Sequence, residues 1–374
     1  MQKIVVGCPK EIKVREYRVG LTPASAHAYV EAGHEVLIEK DAGSAIGFSD
    51  KDYEEAGAKI VDKKTLFEKA SMIVKVKEPI DSEYGYFKEG QTLYTYLHLA
   101  ADKPLTEMLL QKKIFSIAYE TIKVGNALPC LAPMSAIAGR LSVLEAAKFI
   151  QKTYGGNGTL LSGVPGTPKG KVVIVGGGVV GLGAAQIAVG IGAEVTLLDI
   201  NTERLAEVDR LFDMKITTLY STRANILHAI KDTDVVIGAV LIPGAKAPKI
   251  LKREDLKLMK KGSIIVDVAI DQGGCFETSK ATTHDDPIFE IDGILHYCVA
   301  NMPGAVAKTA TVALNNSTLS YGLKIANLGP KQAALSDNAI LEGVNTVAGK
   351  CTYKGVSEAF NLKYESAKDV LNSL

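Results

Sequence analysis

Between Val172 and Ala193 the chain reads "VVIVGGGVVGLGAAQIAVGIGA", 22 residues without a charge. Such a stretch is long enough to span a bilayer as a helix. Three consecutive glycines argue against one continuous helix, because glycine loses the most backbone entropy there. A buried strand, a glycine turn and a buried helix account for the segment better. That reading commits the chain to a sheet with helices packed on it.

The glycines fall as Gly176-x-Gly178-x-x-Gly181, after four β-branched residues and before an alanine-rich helix. Each has a physical task. Gly176 allows the tight turn, Gly178 lets backbone approach a pyrophosphate, and Gly181 lets helix pack closely on strand. The helix N-terminus adds free N–H groups and a positive partial charge. A second strand, "EVTLLD", ends at Asp199, 18 residues after Gly181. An acid there accepts hydrogen bonds from ribose hydroxyls and favours NAD over NADP. Arg204 is spaced to meet a 2′-phosphate, but Asp199 would repel one.

At 374 residues the chain exceeds one ordinary core, so two domains are expected. The second begins its βα series at Lys171, with "KVVIVGGG", "EVTLLDIN", "ITTLYS", "DVVIGAVLI" and "GSIIVDVAID" as five strands. The first third alternates short apolar runs with capped helices, among them "TPASAHAYVEAGH" with Thr22 as cap and Pro23 in the first turn. A long helix opened by Pro133 and Ser135 runs to about Lys152. After "NMPGAVAKTATVALNN" the pattern turns helical to the end. The expected architecture is α/β: two Rossmann-like domains with mostly parallel sheets, separated by a cleft. A discontinuous substrate domain (1–130 plus 304–374) would enclose a nucleotide-binding domain (131–303).

Lys+Arg number 43 and Asp+Glu 42, a formal charge of +1, and the two signs are interspersed. Neither a nucleic-acid nor a membrane partner is expected. The N-terminal apolar stretch is too short for a signal peptide. The five cysteines are scattered without CxxC spacing, which speaks against a disulfide framework or zinc site and for a reducing, cytoplasmic setting.

Ligands of open α/β sheets sit beyond the carboxyl ends of strands, so ionisable groups there are the candidates. "GSIIVDVAIDQGG" offers Asp267 inside the apolar run, best read as a hydrogen-bonded structural carboxylate, and Asp271 at its end. In the first domain Arg18, Lys75, Lys77, His98 and Glu120 stand out. "IVKVKEP" reads as a strand whose lysines, Lys75 and Lys77, share a face. A solvated sheet edge and an anion site both fit. His98 ends "TLYTYLH", sharing a face with Tyr94 and Tyr96, and imidazole suits proton transfer near neutrality. Arg18 lies in a charged loop where its fork could hold a carboxylate bidentately.

Several motifs together resemble the alanine dehydrogenase family: "VGCPKEIKVREYRVGLTP", "VKVKEP", "YLHLA", "AYET", "APMSAIAGR", "SGVPG", "IGAVLIPGAKAPK", "VDVAIDQGG" and "VANMPGAV". The likeness covers about residues 3–330. It implies reversible NAD-dependent deamination of L-alanine to pyruvate and ammonia by a homohexamer. It further implies that Arg18 and Lys77 hold the substrate's carboxylate and carbonyl oxygen, that His98 is the acid/base, and that Asp271 assists the water and ammonia steps. Implied cofactor contacts are Ser135, Gly178, Val179, Asp199, Arg204, Ser221, Val240, Leu241, Val268, Ala269, Ile270, Asp271, Lys280, Val299, Ala300, Asn301 and Met302. Some members carry a magnesium-binding Glu and His in the helix after "NMPGAV". Lys324 and Leu328 stand there in this chain, so no metal is expected.

Two alternatives compete. A transhydrogenase nucleotide-binding subunit approaches the same motifs, but no Arg-Gln-Asp loop follows the "GR" of the long helix and no membrane segment follows. A non-catalytic nucleotide binder would need only the second domain, and leaves the polar strand ends of the first unexplained.

Overall fold

A computed structural model describes residues 3–240 and 247–374. The chain forms two compact units. The first comprises everything up to Pro133 together with Val306–Leu374; the second is Met134–Ala305.

The first unit holds β1 (Val5–Cys8), β2 (Glu35–Glu39), β3 (Lys59–Val61), β4 (Met72–Val74), β5 (Thr92–Thr95) and β6 (Phe115–Ala118). The second holds β7 (Lys171–Val175), β8 (Glu194–Asp199), β9 (Thr217–Tyr220), β10 (Val235–Gly238), β11 (Ile264–Asp267), β12 (Ile288–Ile291) and β13 (Ile294–Tyr297). β14 (Val344–Val347) and β15 (Lys350–Cys351) return to the first.

The first sheet runs β15-β14-β6-β5-β4-β1-β2-β3, and the second β12-β13-β11-β10-β7-β8-β9. Six strands of each are parallel and doubly wound, β3-β2-β1-β4-β5-β6 in the first and β9-β8-β7-β10-β11-β13 in the second, where β12 adds an antiparallel edge. The order reverses between β1 and β4 in one unit and between β7 and β10 in the other. Those switch points are where such sheets bind ligands.

Local chemistry explains the helices. Thr22 accepts from the Ser25 N–H and Pro23 opens the helix Pro23–Glu31; Ser49 and Asp52 form a reciprocal cap for Asp50–Glu55. The uncharged stretch splits as its glycines require, into β7 and the helix Val179–Gly190. The long helix is Ala132–Phe149, giving way to a short 3₁₀ turn at Lys152–Tyr154.

Two sequence expectations need correction. Seven strands stand where five were expected in the second series, and the C-terminal region is not helical throughout. Both differences come from two-residue hairpins. Asp292–Gly293 joins β12 to β13, with φ of 52° and 79°. Ala348–Gly349 joins β14 to β15, with φ of 51° and 77°. Both central residues left-handed is the turn that matches strand twist. "IFEIDGILHY" therefore carries an Asp-Gly hairpin signal in plain view.

Each sheet is packed on its own apolar core. Leu66, Phe67, Ile73, Leu93 and Leu105 are central to one, and Val173, Leu198, Val236, Ile265 and Phe276 to the other. All five cysteines are buried and free. Among the described residues no helix is long and apolar enough to cross a membrane.

Candidate active site

The switch point of the second unit is built from backbone. Gly176 takes φ 105°, and a Cβ on it would stand 2.6 Å from the Ala239 carbonyl in the loop after β10. A Cβ on Gly181 would lie 1.8 Å from the Gly176 carbonyl, so no other residue lets the helix start there. Gly178 is the N-cap of a twelve-residue helix that no side chain caps, and a Cβ on it would meet nothing within 4 Å. The first N–H groups of that helix thus face open surface, the arrangement that receives a phosphate.

Asp199 at the end of β8 and Arg204 in the helix that follows clamp this loop. Asp199 accepts from the N–H of Gly177 at 2.6 Å and of Asn201 at 2.8 Å. Arg204 donates from Nε to the Gly177 carbonyl and pairs with Glu207. Its guanidinium is thus engaged on the loop itself, which removes it as a ready receptor for a 2′-phosphate. Ser221 donates its N–H to the Asp199 carbonyl at 3.0 Å, so it stands beside that strand end. These residues fit a dinucleotide with a free 2′-hydroxyl.

Of the other expected cofactor contacts, Val179 is exposed and Ser135 and Val240 are half-buried, while Leu241 lies outside the described residues. Val268 is half-buried and Ala269 and Ile270 are buried. Val299 and Met302 are buried, Ala300 and Asn301 half-buried, and Asn301 takes φ 59°. Lys280 is exposed.

Asp271 is exposed on the 3₁₀ turn Ile270–Gln272, past the end of β11. The turn is braced from two sides. The fully buried Asp267 carboxylate accepts from the N–H groups of Ala269 and Cys275 at 3.0 and 2.8 Å and from the Ser279 hydroxyl. The Lys249 ammonium donates to the carbonyls of Gly273, Gly274 and Phe276 at 2.7, 2.8 and 3.1 Å. A carboxylate gathers the amides and an ammonium gathers the carbonyls, so Asp271 is presented on a stiff loop.

The switch point of the first unit is furnished with side chains. The loop after β1 carries Glu11, Glu16 and Arg18, and it crosses β4 so closely that a Cβ on Gly20 would stand 2.6 Å from the Val74 carbonyl. Arg18 is 2% exposed and meets Glu16 bidentately, at 2.7 and 2.6 Å. Lys75 is wholly buried between Glu83 at 2.8 Å and Glu11 at 3.4 Å. Burial alone would strip its charge, but the two carboxylates outweigh that and raise its pKa. Glu11 also accepts from the N–H groups of Val76 and Lys77, at 2.7 and 3.3 Å, and so holds the segment that bears Lys77.

This decides the "IVKVKEP" question against a solvated edge. β4 lies between β1 and β5 and stops at Val74, so both lysines follow the strand rather than lie in it. They divide sharply: Lys75 is a buried structural cation, not a solvated one, and Lys77 is half-buried.

His98 also lies past its strand, which ends at Thr95. A left-handed residue (φ 49°) brings its ring parallel to that of Tyr96, at 6.0 Å and 12°. Strand alternation therefore does not align the pair; the turn does. Glu120 accepts from the N–H groups of His98 at 2.7 Å and Leu97 at 3.1 Å, pinning this unusual backbone. Tyr96 is anchored through its hydroxyl to the Cys130 carbonyl at 2.6 Å. Sequence reasoning missed Glu11, Glu16, Glu78 and Lys249. The three glutamates look like ordinary members of charged loops until burial is known, and Lys249 is an exposed lysine until its three carbonyl partners are seen. Lys324, where a metal ligand would stand in some relatives, pairs with Asp337 at 2.8 Å. No group of three or more His, Cys, Asp or Glu among the described residues is placed to hold a metal ion.

A glycine-cradled switch point in one unit and a cationic, imidazole-bearing one in the other define a nucleotide-dependent α/β enzyme of the dehydrogenase class. The N-terminal domain model of alanine dehydrogenase/PNT matches residues 7–138, and the C-terminal domain model 142–354. The chain belongs to the alanine dehydrogenase/PNT family. It is 54% identical over 368 residues to an alanine dehydrogenase of Staphylococcus haemolyticus (strain JCSC1435), covering 98% of this chain and 99% of that one. It is 53% identical over 369 residues to alanine dehydrogenase 2 of Staphylococcus aureus (strain MRSA252), with the same coverage. A solved L-alanine dehydrogenase superposes with a TM-score of 0.92 at 50% identity, over 96% of this chain and 99% of that one. A transhydrogenase from Sinorhizobium meliloti shares the fold at 24% identity and a TM-score of 0.80, over 94% of this chain and 99% of that one.

Proposed function

We infer that the chain catalyses the reversible, NAD-dependent oxidative deamination of L-alanine to pyruvate and ammonia. The observation that carries this is the first unit's set of strand-following loops, with Arg18 after β1, Lys77 after β4 and His98 after β5, in a family whose closely similar members are alanine dehydrogenases. A protein that only bound a nucleotide would have no use for them.

NAD, when bound, supplies the hydride acceptor for the substrate's Cα. The chain does the rest. Arg18, oriented by Glu16, and Lys77, held by Glu11, fix the substrate's carboxylate and its carbonyl oxygen. His98 takes a proton from the water that attacks the imino carbon, then returns one to the departing nitrogen. Lys77 stabilises negative charge developing on that oxygen. Asp271 assists the water and ammonia steps. The working assembly is a cytoplasmic homohexamer, which sedimentation at assay concentration would test.

The deciding assay follows NAD reduction at alkaline pH with a panel of amino acids. Alanine-dependent reduction is expected, with serine and glycine poorer. Cofactor binding without any amino-acid-dependent reduction would replace this reading with that of a transhydrogenase-type subunit.

A further inference from the structure

Glu78 follows Lys77 directly in the loop after β4, and its side chain is 12% exposed. Its Oε1 pairs with Lys13. Its Oε2 is buried and has no hydrogen-bond partner among the described residues. A buried acceptor left without a donor costs more than a made bond returns, so each one calls for a reason. Burial by itself would raise the Glu78 pKa. The fields of Lys77 and His98, with Lys13, outweigh burial and hold it below the ordinary glutamate value, so the group is a carboxylate at neutral pH.

Glu78 adjoins Lys77, one of the two side chains assigned to the substrate's oxygens, and the charges of Lys77 and of His98, the acid/base, reach it. An α-amino acid presents oxygens that need donors and a nitrogen that, as an ammonium or a protonated imine, needs an acceptor. Lys77 and Arg18 have only donors to give. We propose that Glu78 is the specificity residue for the substrate's nitrogen, its Oε2 accepting an N–H from ammonia or from the α-amino group. The proposal rests on the deamination reading above.

The test is steady-state reductive amination with NADH, varying ammonium and pyruvate separately, for the unmodified enzyme, Glu78→Gln and Lys13→Met. Glu78→Gln should raise the KM for ammonium about tenfold or more, the factor that a lost charged hydrogen bond brings. The KM for pyruvate should move by less than about threefold, because Lys77 and Arg18 are untouched. Lys13→Met, which keeps Oε2 in place, should leave the ammonium KM within about threefold. Should Glu78→Gln fail to fold, Glu78→Asp withdraws the carboxylate by one methylene and must show the same selective rise. An unchanged ammonium KM, an equal rise for both substrates, or an equal effect from Lys13→Met would overturn the assignment. An unmodified enzyme with no ammonium-dependent NADH oxidation would instead overturn the deamination reading itself.

Discussion

The two units wind their parallel strands in the same order yet equip the switch point in opposite ways. Between β7 and β10 the working surface is backbone: glycines, an uncapped helix N-terminus, and an acid and a base that hold the N–H and the carbonyl of Gly177. Between β1 and β4 it is acidic and basic side chains, some fully buried: Lys75 with Glu11 and Glu83, and Arg18 with Glu16. A pyrophosphate is bulky and can be met by main-chain N–H groups at little desolvation cost. A small carboxylate and a reacting carbonyl need cations and a proton carrier aimed from side chains, and buried charges stay put only when other buried charges hold them.

The neighbouring lysines give that contrast its strongest test. Lys77→Ala should lower kcat/KM for alanine by about 10²–10³-fold while the melting temperature barely moves. Lys75→Ala should destabilise the first unit by about 3–5 kcal/mol, because two buried carboxylates lose their cation. Adding Glu11→Gln and Glu83→Gln to Lys75→Met should recover most of that loss. If Lys75→Ala folds as well as the parent, the buried triad does not carry the stability assigned to it.

In the second unit the backbone should be the sensitive part. Gly181→Ala drives a Cβ into the Gly176 carbonyl, and calorimetry should show NAD affinity falling at least about 100-fold, with a loss of roughly 1–3 kcal/mol in stability. Ordinary NAD affinity in that variant would mean that the fingerprint does not set the cradle. Asp199→Asn should cost less, about tenfold in NAD affinity, since only one charge-assisted contact weakens.

The smallest effect concerns His296. Its ring is buried in β13, with Nδ1 donating to the Ile294 carbonyl at 3.0 Å and Nε2 accepting from Thr278 at 2.8 Å. Burial lowers its pKa, so the unfolded chain binds the proton more readily. Stability is therefore fully present above about pH 6.5 and declines as pH falls through the lowered folded value. Urea titrations between pH 7 and 5 should show the decline, and His296→Phe should flatten it.

Much of this was legible in the chain. "VVIVGGGVVG" is readable because every glycine in it answers a local demand, a turn or a close approach, that side-chain chemistry alone dictates. Asp199 was legible because strand length fixes where the second strand ends. The hairpins at Asp292–Gly293 and Ala348–Gly349 are equally local, but the short strands that they join carry little periodicity.

What sequence could not decide was burial. "KEIKVREYR" and "KVKEP" are strings of alternating charge, which read as solvated loops. Only the crossing of the β1 loop over β4 takes Arg18, Glu16, Glu11 and Lys75 out of water and turns them into paired, orienting groups. Likewise Tyr96 and His98 share a face through a left-handed turn that Glu120 pins from 22 residues away. Glycine positions and strand ends follow from short-range sterics, so the sequence by itself determined the nucleotide cradle. The pairing and orientation of the buried charged side chains depend on which groups share a low-dielectric interior, and only the tertiary structure decided that.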